Sequence, residues 1–381
     1  MSGPLAGVTV VELAGIGPGP FCAMVLADMG ADVVRVDRVD SVRTADPSRA
    51  AGEVLNRGRR SVGVDLKHPD GVESLLRLVE RADALIEVWR PGVAERLGIG
   101  PEPCRARNPR IVYGRMTGWG REGPLAAKAG HDIDYIAVAG ALHAFGRAGA
   151  PPTPPLNLVG DFGGGGLLLA YGIVCALFES SRSGQGQVVD AAMVDGTALL
   201  MAPFYAAQQI GFWSEERGTN MLDTGAPFYD VYECGDGRWV AVGALEPRFY
   251  ADLLAGLGFG VAELPDRDDR TRWPELRAAF TARFKERTRD GWVEAFADLD
   301  ACVAPVLALG EAPMHPHNVE RQTFVEIEGI RHPAAAPRFD RTPGGIRGRA
   351  AYAGEHTDQI LTEHGFSADE IATLKAAGAV A

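Results

Sequence analysis

The sequence predicts an α/β fold: a large domain on a mainly parallel sheet, joined to a smaller α+β domain. Three observations carry this. Short β-branched apolar runs alternate with segments of helical apolar spacing over the first half of the chain, the pattern of βαβ units. Near Gly196 the alternation stops, and Gly235-Asp236-Gly237 then sits as a hairpin signal between two strand-like runs. The length, 381 residues, exceeds the ~100–200 of one ordinary domain.

Val8–Leu13 reads as a strand, Gly15-Ile16-Gly17-Pro18-Gly19-Pro20 as a turn, and Phe21–Met29 as a helix stopped by Gly30. Val33–Asp37 completes a Rossmann-like βαβ unit whose crossover is right-handed. Ser61–Asp65, Ala84–Trp89, Ile111–Met116 and Gln187–Ala192 read as further strands; Gly71–Glu80 and Val93–Leu97 read as helices. Gly149–Pro155 is an extended proline-rich loop, and Gly160–Gly166 a glycine-dense loop opening a helix, Leu167–Ser180. Pro227–Cys234 and Arg238–Ala244 flank the hairpin, and helices follow at Arg248–Leu257, Glu275–Glu286 and Gly291–Leu299. Pro313–His317 and Pro333–Pro337 read as loops. Ser367 and Glu370 form a capping box for a last helix to Ala376.

The formal net charge, -12, disfavours a nucleic-acid or anionic-membrane partner, which calls for a basic surface. Only Lys67, Lys128, Lys285 and Lys375 of the 38 basic residues are lysine; codon bias explains this, and arginine forks also suit phosphate and carboxylate ligands. Five scattered cysteines without CxxC spacing argue against a disulfide framework or a zinc site, and fit a reducing cytosol. Met1–Gly7 lacks a signal-peptide pattern, no apolar run reaches 18 residues, and Gly378–Ala381 carries no peroxisomal tripeptide, so a cytoplasmic location is expected.

Gly15 and Gly17 begin a dinucleotide-like GxGxxG, with Asp37 at the end of the second strand. Pro20 stands at the third glycine position, however, and has no N–H for a pyrophosphate. A tight turn and a different phosphate-bearing ligand are the other readings. His315-Pro316-His317 reads as a solvated loop, and no HExxH, GxSxG or Walker A pattern occurs, so no metal is expected. Two segments carry chemistry. In Gly130-His131-Asp132-Ile133-Asp134-Tyr135 a histidine flanked by acids is either a tuned base or a surface group. In Asn157–Gly166 the carboxylate of Asp161 precedes four glycines that let a ligand approach the main chain; the other reading is an aspartate capping the next helix.

At these two segments the chain resembles the family III CoA-transferases, and within them the α-methylacyl-CoA racemases. The resemblance runs along nearly the whole chain, through Gly7–Asp37, Asn56–Lys67, Glu87–Gly100, Arg115–Gly120, Gly130–Tyr135, Asn157–Gly165, Gln187–Gly196 and Gly354–Thr357. Transferase members usually carry an aromatic residue where His131 stands, so His131 marks the racemase branch; Asp134 replaces an expected asparagine. The resemblance implies cofactor-independent inversion of C2 in 2-methylacyl-CoA thioesters. His131 and Asp161 would exchange the proton on opposite faces, with the backbone N–H of Asp132 as oxyanion donor and Glu246 orienting the histidine. It implies CoA contacts at Arg38, Val64, Asp65, Leu66, Lys67, Val88, Trp89, Arg90, Arg96, Gly130, Ile133, Asp134 and Tyr135. It also implies an interlocked homodimer and a discontinuous large domain, residues 1–196 and 335–381, around a small one at 197–334. A CoA-transferase with Asp161 as nucleophile, a nucleotide-cofactor oxidoreductase and a non-catalytic CoA-binding protein are the alternatives.

Overall fold

The computed structural model describes residues 3–260 and 263–381; Met1 and Ser2 of the Met1–Gly7 segment lie outside the described residues. The chain divides into two compact units, residues 1–139, 156–200 and 319–381 in the first and residues 140–155 and 201–318 in the second. The expected boundaries thus move: residues 140–155 group with the second unit, and residues 197–200 and 319–334 with the first.

The first unit holds six strands: β1 (Thr9–Leu13), β2 (Asp32–Asp37), β3 (Arg60–Gly63), β4 (Ala84–Glu87), β5 (Val112–Thr117) and β6 (Val188–Ala192). Their order is β3-β2-β1-β4-β5-β6, and each of the five pairings is parallel. Alternate residues feed two cores, because strand side chains point to opposite faces. Val11, Leu13, Val34, Val36, Leu85 and Tyr113 lie on one side; Val10, Val33, Ala84, Ile86 and Val112 lie on the other. Strands buried on both faces explain the near-continuous apolar runs of the sequence. The strand order reverses between β1 and β4, and ligands of such sheets bind in the crevice beyond the strand ends at that point.

Two expected loops are shorter than the sequence suggested, for identifiable reasons. The first helix spans Pro18–Asp28 and takes in Pro18-Gly19-Pro20. Proline suits a helix's first turn, whose N–H groups lack intrahelical partners anyway; only Gly17, at φ 70°, still turns. The glycine-dense segment is not a loop either: Leu158–Leu167 winds as a π-helix running directly into the helix Leu168–Ser183. Its glycines serve close packing. A Cβ on Gly164 would meet the Thr197 nitrogen at 2.7 Å, and one on Gly166 the Pro18 oxygen at 2.5 Å. Within Leu158–Ser183 an 18-residue window reaches a mean hydropathy of 1.6, long and apolar enough to cross a membrane by composition. Leu169, Ala170, Ile173 and Ala176 of that helix are buried in the α/β core, which gives the apolar composition a use within the fold.

The structure also adds a hairpin, Phe324–Ile327 with Ile330–Pro333, turned by Glu328 and Gly329 at φ 49° and 79°. Pro316–Glu320 is a short helix rather than loop. The second unit is α+β, as expected. Tyr229–Glu233, Trp239–Gly243 and Val303–Pro305 form an antiparallel sheet. Its core is aromatic, with Phe228, Tyr232, Trp273, Phe280, Phe284 and Trp292 buried together.

Candidate active site

At the strand-order reversal, the main chain after β1 and the segment after β4 bound two cavities that share Val88, Trp89 and Arg90. The first, about 470 Å³, brings His131 and Asp161 to one wall system with Gly17, Trp119, Lys128, Gly130, Tyr135 and Asn157. The second, about 610 Å³, is lined by Arg38, Val64, Asp65, Leu66 and Lys67, and also by Arg43. Both volumes suit a bound small molecule. Residues as far apart in sequence as Ile16 and Met193 thus reach one crevice because successive parallel strands all end on the same edge.

His131 is the N-cap of the helix Asp132–Val138, where the backbone turns from extended to helical. The Asp134 carboxylate accepts from the His131 N–H at 3.0 Å. Asparagine offers the same acceptor, so the departure from the family pattern keeps the cap. Asp132 occupies the first helical position, where the N–H has no partner within the helix and lies at the positive end of the dipole. That N–H is a sound donor for a developing oxyanion.

The base of His131 is aromatic. Tyr135 donates its hydroxyl hydrogen bond to the Gly130 carbonyl, and Trp119 meets the Tyr135 ring edge-on at 4.8 Å. A Cβ on Gly118 would strike the Tyr135 ring at 2.1 Å, and one on Gly130 would meet that ring at 2.7 Å and Trp119 at 3.1 Å. The blocks Arg115–Gly120 and Gly130–Tyr135 therefore form one seat. Burial pushes the Tyr135 phenol above its ordinary value, and the charges of Asp161 and Asp134 add to this.

Asp161 lies inside the π-helix, not at its cap. Asn157 donates to Asp161 Oδ2 at 3.0 Å, and a Cβ on Gly17 would come within 3.1 Å of that oxygen. The Asp161 N–H donates to Asp132 Oδ1 at 2.7 Å. Sequence reasoning assigned no role to Asn157, because an i, i+4 pair is visible only once the segment is known to be helical.

Glu87 explains how Trp89 and Arg90 are held between the cavities. It is 1% exposed, accepts from the Trp89 N–H at 2.9 Å and pairs with Arg115 at 2.7 Å. Burial raises its carboxyl, against the opposing pull of those two partners. Asp37, the residue a dinucleotide ribose would want, accepts instead from Arg35 and Ser61 at 2.7 and 2.6 Å.

Some predicted contacts are not brought together. Arg96 lines neither cavity and lies against Gly92. Asp132, Ile133 and Asp134 follow the wall residue His131 in sequence without lining the first cavity. Glu246 belongs to the second unit, at the N-cap of the helix Pro247–Leu257. A further cavity of about 560 Å³ is lined by Arg60, Arg349 and His356, but both arginines are paired with Asp32, Glu363, Glu328 and Glu355. Among the described residues no cluster of His, Cys, Asp and Glu has metal-binding geometry.

The chain is 49% identical to a mouse protein named alpha-methylacyl-CoA racemase, over 97% of this chain and 96% of the relative. It is 30% identical to a Chloroflexus aurantiacus protein named succinyl-CoA–D-citramalate CoA-transferase, over 98% and 97%. The crystal structure of a CAIB/BAIF family protein from Brucella suis superposes with a TM-score of 0.80 at 27% identity, covering 96% of this chain and all of that one. The family description CoA-transferase family III matches residues 5–357. The chain belongs to CoA-transferase family III.

Proposed function

We propose that the chain is an isomerase that inverts C2 of 2-methylacyl-CoA thioesters without a cofactor. The observation that carries this is the meeting of His131 and Asp161 in one cavity, in a chain half identical to a protein named for that reaction. One group takes the C2 proton, and the C–H electron pair moves toward the thioester oxygen as an enolate. The other group returns a proton to the opposite face. Each positioned proton-transfer group supplies ~10²–10⁴-fold. The Asp132 N–H faces the developing oxyanion, a donor type worth roughly 10²–10³-fold.

In this reading the second cavity takes the nucleotide of CoA. Arg38, Lys67 and Arg90 meet phosphates, Asp65 meets a polar group, and Val64, Leu66, Val88 and Trp89 cover its less polar parts. The pantetheine arm passes Val88–Arg90, the segment common to both cavities. We propose an interlocked homodimer in which Glu246 of one copy orients His131 of the other. Support comes from the helix Leu168–Ser183 and the residue before it: Leu167, Tyr171, Val174 and Phe178 are exposed at helical spacing. Such a stripe marks an interaction surface. A monomer in sedimentation would overturn the dimer.

The decisive experiment incubates each epimer of a 2-methylacyl-CoA in heavy water and follows C2 by NMR. Deuterium at C2 with loss of optical purity is expected. No incorporation by folded protein overturns the reading. A new thioester from added free acid, with a hydroxylamine-sensitive acyl group on Asp161, would establish a transferase instead.

A further inference from the structure

The side chain of Asp132, as distinct from its backbone, has no part in the scheme above, yet it is closely constrained, bonded to the main chain of the wall residue Asp161. It is 6% exposed. Its Oδ1 accepts from the Asp161 N–H at 2.7 Å, and the Gly160 N–H also favours the charged carboxylate. A Cβ on Gly160 would come within 2.4 Å of that oxygen, so position 160 is closed around the contact. Its Oδ2 is buried with no partner. A buried polar atom left unpaired is destabilising, and such a cost persists where the group does something else.

The placement says what. Asp132 follows His131 directly, and its carboxylate grips the main chain of Asp161 itself. The two candidate proton-transfer residues are therefore each within one residue of a single hydrogen-bonded bridge. The bridge joins the N-terminus of the helix Asp132–Val138 to the π-helix Leu158–Leu167. A π-helix is a rare geometry that local bonding must enforce, and here the carboxylate takes up two N–H groups near its start.

Resting on the proposed function, we infer that the Asp132 carboxylate is a positioning residue: it sets the offset between His131 and Asp161 by clamping the π-helix to the histidine-bearing helix. Burial pushes the Asp132 carboxyl above the usual carboxylate range; the N–H donors oppose this and the charge of Asp161 adds to it. A neutral acceptor of the same shape can hold the same two N–H groups, so the clamp needs the oxygen rather than the charge.

The test compares Asp132→Ala and Asp132→Asn, both of which keep the backbone N–H. For C2 deuterium exchange, D132A is expected to lower kcat about 10²-fold, the scale of a ~1 Å misplacement. KM for the acyl-CoA should change less than about twofold, because the nucleotide cavity is built elsewhere. D132N is expected to recover at least about tenfold of the lost kcat. In parallel, amide hydrogen exchange of the peptide 158–167 should accelerate in D132A and not in D132N. A kcat within about threefold of wild type in D132A, equal losses in both variants, or unchanged amide protection would each overturn the inference. Absence of C2 exchange in the wild type would overturn the functional reading instead, and the amide arm would still decide the clamp.

Discussion

The two cavities that meet at Val88–Arg90 are built by opposite means. The first is shaped by main chain packed at its limit: Gly17 against Asp161, Gly118 and Gly130 against an aromatic seat, and a buried carboxylate gripping a π-helix. The second is lined by cationic side chains, Arg38 and Arg43 at the two ends of the short helix Val39–Arg43 and Lys67 in a turn, beside acids such as Asp40 and Asp65. Close-packed backbone holds reacting groups within the tolerance that proton transfer demands. Flexible charged side chains instead recognise phosphate through charge and forked hydrogen bonds, which tolerate motion. The contrast predicts that damage in the first cavity appears in kcat or in stability, and damage in the second in KM.

The largest effect should come from the reacting groups. His131→Ala and Asp161→Ala are each expected to lower racemisation by about 10²–10⁴-fold with KM for the acyl-CoA little changed. A full-rate variant would remove its residue from the mechanism, and a loss confined to KM would erase the division between the cavities. The next effect is on stability. A Cβ on Gly196 would lie 1.9 Å from the Gly164 oxygen, a backbone atom that has no room to retreat. Gly196→Ala should lower Tm by about 5 °C or more, the consequence of overpacking at the upper end of ~1–3 kcal/mol. An unchanged Tm would mean the π-helix is loosely seated, and the contrast with the second cavity would fail. Third comes Arg38→Ala, expected to raise KM for acyl-CoA about tenfold, or ~1.4 kcal/mol, with kcat within about twofold. Added salt should move wild-type KM toward the variant's value, since exposed charges are screened.

The same contrast explains how much was legible in the sequence. The strands were readable chiefly where, as in β1, β2, β4 and β5, apolar residues feed both faces, whereas the start of the first helix was misplaced because its prolines lie inside the helix. The second cavity was largely readable too: Arg38, Val64–Lys67 and Val88–Arg90 line it. Of the first cavity, His131 and Asp161 were readable together with Gly130, Tyr135 and the shared Val88–Arg90, but the groups that hold them were not. Asn157 and the Asp132 carboxylate act through a helix where the sequence reads as loop, because four successive glycines normally favour open chain. What overrode that preference is tertiary: the glycines are small enough to let two neighbouring segments approach within backbone contact. The hairpin at Glu328-Gly329 was missed because asparagine or aspartate, not glutamate, is the strong signal before a turn glycine.

The smallest expected effect tests whether the wall of the second cavity depends on charge. Glu95 sits between Val93 and Leu97, both of which line that cavity. It accepts from Arg115 at 2.8 Å and Arg121 at 3.0 Å, tying the wall to β5. The hydrogen bond from Arg115 holds its carboxyl at about 2, below the ordinary 4.5, although partial burial opposes this. The folded chain therefore favours the ionised form more than the unfolded chain does. The stabilisation is complete above the unfolded value and disappears as pH falls through about 2. Because the side chain is 41% exposed, solvent screening keeps the contribution small, and Glu95→Gln should lower Tm by only about 2 °C near pH 6. That difference should shrink steadily on acidification through the range between 4.5 and about 2. A Tm difference that stays constant with pH would show that Glu95 acts by packing, and that the two cavities are walled by the same means after all.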